Sequence, residues 1–368
     1  MLAGVKRRPL LSSLLAFGAA PFAPSAIGAA VAPGRVLAFP RDHGAHPDAR
    51  IEWWYVTGWL RAGAAFAPTH GFQVTFFRAR TGIAPDPASR FTATQLVFAH
   101  AALTDLSTRR AVHDQRIARA GQEIAEVSQS DTALKLRDWM LVREGPVDQS
   151  VYRTAVASDA AGFAFELRFE STQPLLLQGE GGYSRKGPRP EQASHYYSRP
   201  QLAVTGTISQ RARPQTVQGR AWLDHEWSDE ILDPQAVGWD WIGINLADGG
   251  ALTAFRLRRA DGTALWGGGS HRDAAGALRN FADGEVRFKP GRLWQSPTSQ
   301  AKYPVEWELE TPAGTHRIRA LADAQELDSR DSTGSIYWEG LSELLDERGA
   351  RVGLGYLEMT GYAGRLRL

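Results

Sequence analysis

The chain has 368 residues, 43% of them hydrophobic and 22% charged, which is the composition of an ordinary globular protein. It contains no cysteine, which excludes disulfides, zinc–thiolate sites, iron–sulfur clusters and thiol nucleophiles. Removing residues 1–30 takes away three positive charges and no negative ones, so the formal net charge falls from +2 to about −1. With no basic stripe in the remainder, nucleic acid is not an expected partner.

The first thirty residues have the order of charge and hydropathy found in export signals. A basic start at Lys6–Arg8 is followed by an apolar run over residues 10–23 and then by small residues. This pattern predicts a secretory signal peptide cleaved near Ala29 or Ala30, and therefore a periplasmic or secreted protein. The adjacent arginines fit part of the twin-arginine motif, so either export route is open. The apolar run is too short to span a membrane, and no transmembrane segment is expected in the mature chain.

Short strands follow the signal in chain order. Residues 51–60, 71–80 and 92–104 are rich in β-branched and aromatic side chains, and similar segments recur to the end of the chain. Turn signals such as Asp261-Gly262 separate them. One stretch, residues 114–129, predicts a short helix. Many strands without alternating helices predict an all-β protein built from antiparallel sandwiches or barrels.

Two hairpins in different halves of the chain resemble each other. "EWWYVTGWL" leads to "FQVTFFRAR" in the first half, and "WDWIGINL" leads to "ALTAFRLRR" in the second. In each hairpin an acid stands beside tryptophan, as Glu52-Trp53 and Asp240-Trp241, and the second strand ends in arginine, at Arg78 and Arg256. We interpret this echo as two related β-domains. The alternative is that aromatic strands resemble one another by composition alone.

The boundary between the two domains is expected just after the segment "LDHEWSDE". The following "ILDPQAVG" carries Asp-Pro and ends in glycine, which suits a connection. The predicted organisation is a signal peptide (1–30), an N-terminal β-barrel domain (36–231) and a C-terminal β-barrel domain (232–368). The charged segment would then lie where the domains meet, which is a favoured place for ligand sites.

That charged segment, "GRAWLDHEWSDE" at residues 219–230, has the densest grouping of titratable side chains in the chain. Asp224, His225 and Glu226 stand in a row between two tryptophans. Such groups between indoles can serve a ligand or a reaction. They can equally hold barrel strands together, with their hydrogen bonds satisfied by one another. Both interpretations are open at this point.

Several motifs resemble one known family when they are taken in order. They are "HPDARIEWWYVTGWL", "FAHAALTD", "GGYSRKG", "SHYYSRPQLAVTG", "GRAWLDHEWS", "GWDWIGINLADGG", "YPVEWELETP", "YWEG" and "GLGYLEMTGY". The chain resembles the carotenoid 1,2-hydratase (hydroxyneurosporene synthase) and AttH-like lipocalin-like family from about residue 43 to 362. The resemblance implies two lipocalin-like barrels packed together. The family includes cofactor-free hydratases, pericyclase-like proteins, and exported proteins of unknown activity beside transporter genes.

The resemblance also implies roles for particular residues. The hydratases add water across a terminal isoprenoid double bond, which needs an acid in a dry pocket and aromatic faces beside the cation that forms. His225 and Trp227 match the family's His-x-Trp pair, and Asp224 would be the acid. The family's Tyr-x-Asp pair falls on Phe255 and Leu257 in this chain, a departure that counts against hydration.

Other residues are candidates for binding a ligand near the domain junction. Strand alternation places Glu52 with Trp54 on one face, and Trp239 with Trp241 on one face. The Gly- and Pro-rich stretch 181–200 predicts a loop at the mouth of a pocket. The full set of ligand-binding candidates is Glu52, Trp54, Tyr183, Tyr197, Trp222, Trp239, Asp240 and Trp241.

Neither a metal nor a cofactor is predicted. His43, His46 and Asp48 lie close together in the sequence, but no metal-ligand spacing repeats elsewhere. His100 lies in an apolar run and is expected to be a core histidine with its hydrogen bonds satisfied. Gly-x-Ser-x-Gly, P-loop and dinucleotide motifs are absent from the sequence, which argues against serine hydrolase, nucleotide and NAD chemistry.

Three hypotheses for function follow. The first is an exported protein that binds an apolar ligand such as a lipid or terpenoid. The second is a cofactor-free hydratase, a hydro-lyase, acting in the same pocket. The third is a structural or accessory partner of an envelope ABC transporter. A closed pocket lined by tryptophan would favour ligand binding or catalysis over the partner role, and an acid inside that pocket would favour catalysis over binding. A filled barrel with a flat exposed apolar patch would favour the partner role.

Overall fold

The computed structural model describes residues 31–84, 92–230 and 232–366. The predicted signal peptide and its export route fall on residues 1–30, outside the described residues. Within the described ranges, no helix has the length and apolar character needed to cross a membrane. The protein is nearly all β, as the sequence predicts, and its described helical residues form short 3₁₀ turns at Arg41–His43 and Val147–Gln149.

The first half of the chain forms one antiparallel sheet of 13 described strands. Its order is β4-β3-β2-β1-β13-β12-β9-β8-β7-β6-β5, with β10 and β11 also paired to β12. Strands β3 and β4 approach β6 across the gap, so the sheet is a nearly closed barrel. The strands are β1 (Ile51–Ala62), β2 (His70–Arg80), β3 (Gln95–Asp105), β4 (Arg110–Arg119), β5 (Ala125–Val127), β6 (Ala133–Leu136), β7 (Trp139–Glu144), β8 (Val151–Ser158), β9 (Phe163–Glu170), β10 (Leu176–Leu177), β11 (Tyr183–Arg185), β12 (Ala193–Gln210) and β13 (Arg213–Ser228).

The second half forms a sheet of 10 described strands, in the order β17-β16-β15-β14-β25-β24-β22-β21-β18, with β23 also on β24. Strands β19 and β20 form a separate hairpin. The chain passes from the first sheet to the second between β13 and β14. The strands are β14 (Ala236–Leu246), β15 (Ala251–Arg259), β16 (Ala264–Arg272), β17 (Leu278–Phe281), β18 (Arg287–Pro290), β19 (Leu293–Gln295), β20 (Lys302–Pro304), β21 (Glu306–Thr311), β22 (Gly314–Ala320), β23 (Glu326–Ser329), β24 (Ser335–Leu345) and β25 (Arg351–Met359).

Two local predictions are wrong. The stretch 114–129 is not a helix, because β4 pairs along β3 up to Arg119 and Gly121 then turns the chain with a φ of 100° into β5. The stretch 181–200 is not wholly a loop, because β11 and the start of β12 pair through it. Its buried backbone takes its hydrogen bonds from this strand pairing rather than from water.

The hairpin echo corresponds to a repeated ion pair. Glu52 lies opposite Arg78 in the β1–β2 register, and its Oε2 accepts from the Arg78 Nε at 2.9 Å. Asp240 lies opposite Arg256 in the β14–β15 register, and its Oδ2 accepts from the Arg256 Nε at 2.7 Å. Both acids are fully buried. A charge in such a place needs a bonded partner, and in both hairpins the opposite strand supplies it.

Three main apolar clusters hold the fold together. Trp54 and Trp227 belong to the core of the first barrel, and Trp307 belongs to the core of the second sheet. A third cluster, which includes Trp222 and Trp241, lies between the two sheets. The interior of the first barrel is therefore filled with side chains, and a cavity lies where the sheets meet.

Candidate functional site

A cavity of about 280 Å³ lies between the two sheets, and we call it the intersheet cavity. Strands β1, β2 and β3 supply one wall, β14, β15, β24 and β25 supply the other, and β12 and β13 close one side. Nine of the described side chains that line it are aromatic: Trp53, Tyr55, Phe77, Phe98, Tyr196, Trp239, Trp241, Phe255 and Tyr337. Four acids also line it: Asp224, Glu226, Glu339 and Glu358.

Alternation along β13 divides the charged segment between two environments. Asp224 and Glu226 point into the intersheet cavity. His225 and Trp227 point to the opposite face, into the core of the first barrel, where both are fully buried. The prediction that His225 and Trp227 line the same pocket as Asp224 is therefore wrong in its geometry, because neighbouring residues of a strand face opposite sides of the sheet.

Asp224 is a buried acid held by three donors. Its Oδ1 accepts from the Ser198 hydroxyl at 2.6 Å and from the Trp222 indole at 2.7 Å, and its Oδ2 accepts from the Tyr196 hydroxyl at 2.8 Å. Burial raises the pKa of Asp224 to about 7, although these three hydrogen bonds act to lower it. The carboxyl therefore changes charge near neutral pH, which is the range in which a general acid or base works best.

Glu226 binds a lysine on the wall of the cavity. Lys186 Nζ lies 3.0 Å from Glu226 Oε1, and the Ser194 hydroxyl donates to the same oxygen. The ammonium also lies 4.2 Å from the centroid of the Phe255 ring and 4.7 Å from that of Tyr196. One carboxylate and two aromatic faces therefore hold this cation.

Glu339 and Glu358 form a pair of acids on the other wall. They stand directly opposite each other in the β24–β25 register, and both line the cavity. Burial raises the pKa of Glu339 well above its ordinary value, and the Glu358 carboxyl raises it further. Burial raises the pKa of Glu358 to about 7, and the Asp224 and Glu226 carboxyls act in the same direction. Like charges this close in an apolar site cannot readily ionise together.

His100 joins the two halves of the protein at the edge of the cavity. Its Nδ1 lies 2.8 Å from the Tyr337 hydroxyl and its Nε2 lies 2.8 Å from the Ser332 hydroxyl. Burial lowers the pKa of His100 to about 3, so the ring is neutral at pH 7. The prediction of a buried, hydrogen-bonded histidine is confirmed, but its partners belong to the second half and the ring lines the cavity.

His225 belongs to a buried network inside the first barrel. Its Nε2 lies 2.9 Å from Glu52 Oε1, its Nδ1 lies 3.1 Å from the Tyr197 hydroxyl, and its ring stacks on Trp54 with centroids 4.4 Å apart. Burial lowers the pKa of His225 to about 4, against the raising effect of Glu52. The arrangement ties β1, β12 and β13 together, which is the scaffold interpretation of the segment.

The same network contains a set of potential metal ligands. His46, Glu52 and His225 bring ligand atoms within 4.8 Å of one another. In this structure those atoms bind each other: His46 Nδ1 lies 2.7 Å from Glu52 Oε1, and the same oxygen meets His225. The Arg78 guanidinium also binds Glu52. A metal ion would have to break these bonds and sit beside that cation, so the donor set fits a hydrogen-bonded strut better than a metal site.

The predicted ligand-binding residues divide between the cavity and its surroundings. Those that line the cavity are Trp239 and Trp241. Trp222 lies behind the wall, where its indole donates to Asp224. The side chains of Glu52, Trp54 and Tyr197 belong to the first barrel, Asp240 binds Arg256 in the second sheet, and the Tyr183 hydroxyl donates to the Pro190 carbonyl at 2.6 Å. These last five do not line the intersheet cavity.

Phe255 and Leu257 line the cavity where the family's Tyr-x-Asp pair is expected. The acids that the sequence interpretation missed come instead from β24 and β25, in the pairs Tyr337-x-Glu339 and Tyr356-x-Glu358. Their signal is a tyrosine and a glutamate two residues apart on a strand, hence on one face. Lys186 was missed because one lysine in a Gly-Pro-rich stretch carries no signal of burial.

Comparisons with known proteins identify the chain by its family. No sequence among curated proteins matches it. The solved structure of an AttH-type protein from Nitrosomonas europaea is 47% identical, covers 90% of this chain and 99% of its own, and has a TM-score of 0.82. Kievitone hydratase from Nectria haematococca is 13% identical, covers 89% of this chain and 94% of its own, and has a TM-score of 0.67, a likeness of fold. The AttH-like family model matches residues 30–362, which confirms the resemblance seen in the sequence, and the chain belongs to the AttH-like family.

Proposed function

We propose that this protein binds an apolar small molecule, of the lipid or isoprenoid class, in the intersheet cavity. The observation that carries the proposal is a cavity of about 280 Å³ whose described walls include nine tryptophan, phenylalanine and tyrosine side chains. Ligand sites have this composition and are frequent where two folding units meet. Because the sequence predicts export, we expect binding to take place in the periplasm or outside the cell.

Fewer observations support the alternative that the protein is an accessory partner of an envelope transporter. That hypothesis expects a filled barrel with a flat apolar patch outside, and the first barrel is filled with side chains. The intersheet cavity, with its buried polar groups among aromatic side chains, instead supports the binding of a ligand. A transporter partner is compatible with ligand delivery, and it stays a prediction.

Titration with the neutral apolar fluorophore N-phenyl-1-naphthylamine tests binding. The wild type should give a saturable rise in emission with one probe per chain. Trp241→Ala should weaken binding at least tenfold, because that indole forms part of the cavity wall. Trp307→Phe is the matched control, since Trp307 is buried in the core of the second sheet and should leave the affinity unchanged. Emission that does not saturate, or that is the same in Trp241→Ala, would contradict the proposal.

A second candidate function is cofactor-free hydration of an isoprenoid double bond. The observation that favours it is Asp224, an acid at the cavity wall whose pKa burial raises to about 7. In this reaction the protonated carboxyl gives its proton to one alkene carbon, water adds to the cation formed at the other, and a proton returns from that water to the carboxylate. Aromatic faces such as Trp241 would stabilise the cation.

Hydration is tested by mass spectrometry with isoprenoids that carry a terminal isopropylidene group. The product gains the mass of one water, and the same reaction in deuterium oxide places deuterium on carbon. Asp224→Asn should abolish the gain, whereas Asp240→Asn, an acid held in the second sheet by Arg256, should retain it if the variant is folded. Equal turnover by Asp224→Asn would exclude Asp224 as the acid.

A further inference from the structure

The charges that line the intersheet cavity are unbalanced. Four carboxyl groups face it, while Lys186 is the one cationic side chain among the described residues of its wall. His100 also lines the cavity, but burial lowers its pKa to about 3 and leaves it neutral. Lys186 is bound to Glu226. Three acidic groups therefore remain without a cation from the described chain.

The contacts of Lys186 show how this cavity holds an ammonium group. Its Nζ lies 3.0 Å from a carboxylate oxygen of Glu226 and 4.2 Å from the centre of the Phe255 ring. The carboxylate supplies the counter-charge and the ring supplies its negative face. A cation held in this way is stabilised without being fully hydrated.

Groups of the same kinds lie on β24 and β25 and on the adjacent strands β14 and β1. Glu339 and Glu358 supply two carboxyls, while Tyr55, Trp239 and Trp241 supply aromatic surface. Glu339 is 5% exposed, and its Oε1 has no hydrogen-bond partner among the described residues. The buried Tyr55 hydroxyl lies beside this carboxyl, but no hydrogen bond of ordinary geometry joins the two groups. A buried polar atom without a hydrogen-bond partner reduces the stability of the fold. At the wall of a cavity, such an atom indicates a place where a polar or charged group of a ligand binds.

The electrostatics of the glutamate pair favour a positively charged ligand. Without a cation nearby, burial and mutual repulsion keep the two carboxyls protonated to higher pH than usual. A cation beside them would favour their ionised forms and gain both Coulombic attraction and contact with the indole faces. A neutral ligand gains only the apolar contacts.

We infer that the natural ligand of the intersheet cavity is an organic cation, an apolar molecule with an amine or quaternary ammonium group that binds at Glu339 and Glu358. This inference rests on the proposed binding function and adds the charge of the ligand and the position of its charged end. The apolar part of the molecule lies against Phe77, Phe98 and Phe255.

A pair of probes that differ only in charge tests the inference. Benzyltrimethylammonium and neopentylbenzene have the same shape, and tryptophan fluorescence of the full chain reports the binding of each at pH 8. The wild type should bind the ammonium at least tenfold more tightly. Glu339→Gln/Glu358→Gln should reduce that preference to less than about twofold and still bind neopentylbenzene. The control Glu343→Gln, on the same strand but bonded to Arg319 outside the cavity, should keep the preference.

A measurement on the wild type alone covers the case in which the double variant does not fold. Calorimetric titration at pH 6 in two buffers of different ionisation enthalpy should show that benzyltrimethylammonium releases protons on binding, and that its affinity rises between pH 6 and 8. The ionisation of Asp224 and the two glutamates releases protons in this range, whereas His100 is already neutral there.

The possible results distinguish a failure of this inference from a failure of the proposed binding function. Equal affinity for the two probes, or no proton release, would overturn the inference and leave the binding function standing. A preference that survives in the double variant would overturn the assignment to Glu339 and Glu358. If neither these probes nor N-phenyl-1-naphthylamine binds, the proposed function fails and the inference fails with it.

Discussion

Replacing His225 by alanine should destabilise the fold without removing the ligand site. The imidazole is fully buried, binds Glu52 Oε1 at 2.9 Å and the Tyr197 hydroxyl at 3.1 Å, and stacks on Trp54. His225→Ala leaves the buried Glu52 carboxylate with one partner fewer. Losing a hydrogen bond to a buried charged group costs about 1.5–3 kcal/mol, and the missing ring also leaves a gap against Trp54, so we expect a loss of about 3 kcal/mol although Arg78 still binds Glu52.

The matched control for this variant is His195→Ala. His195 is equally buried, but neither of its ring nitrogens has a hydrogen-bond partner among the described residues. Its removal loses packing against Trp227 and relieves an unsatisfied polar group, so the two effects partly cancel. We expect a loss below about 2 kcal/mol, the typical range for moderate substitutions.

Urea unfolding of the wild type and of both variants measures the difference, and thermal unfolding checks it. At roughly 2–4 °C per kcal/mol, a loss of about 3 kcal/mol in His225→Ala should lower the melting temperature by about 6–12 °C. Binding of N-phenyl-1-naphthylamine below the transition should be unchanged, because His225 faces away from the cavity. Unchanged stability with lost binding would refute the scaffold interpretation and return His225 to the site.

Three further predictions concern single positions. The pKa of Asp224 is raised from 3.8 to about 7, so in this range the folded chain binds a proton that the unfolded chain has released. Relative to Asp224→Asn, the wild type should therefore lose about 2.7 kcal/mol of stability between pH 5 and 7, at 1.36 kcal/mol per pH unit, and little more above pH 7; a difference in urea unfolding that does not change with pH would contradict the shift. Arg78→Met and Arg256→Met should each cost about 3–5 kcal/mol in urea unfolding, because each removes the arginine from the ion pair of a buried acid; a negligible loss at one of them would show that the two ion pairs are not equivalent. Gly243→Ala should cost about 1–3 kcal/mol and weaken binding of N-phenyl-1-naphthylamine, since the added methyl group would clash with the Trp241 ring, and unchanged affinity would show that this ring does not shape the cavity.

The pattern of the sequence was sufficient for the architecture and for much of the local geometry. β-branched and aromatic segments separated by turn residues predict the two antiparallel sheets, because side-chain sterics and backbone hydrogen bonding act within and between nearby segments. The hairpin echo singled out Glu52, Arg78, Asp240 and Arg256, and the strand register then places each acid opposite its arginine. Such hairpin contacts are close in sequence, so a pattern can encode them.

Only the tertiary structure decided which face of each strand meets the other sheet. Alternation along β13 separates Asp224 from His225, but both faces carry aromatic residues, so composition does not show which face borders the cavity. The docking of the second sheet on the first settles this, since it brings Tyr337 to His100 across 237 positions of sequence. It also brings Glu339 and Glu358 to the same cavity as Asp224. Contacts between segments so far apart depend on how two complete sheets pack, and no local pattern of residues specifies that packing.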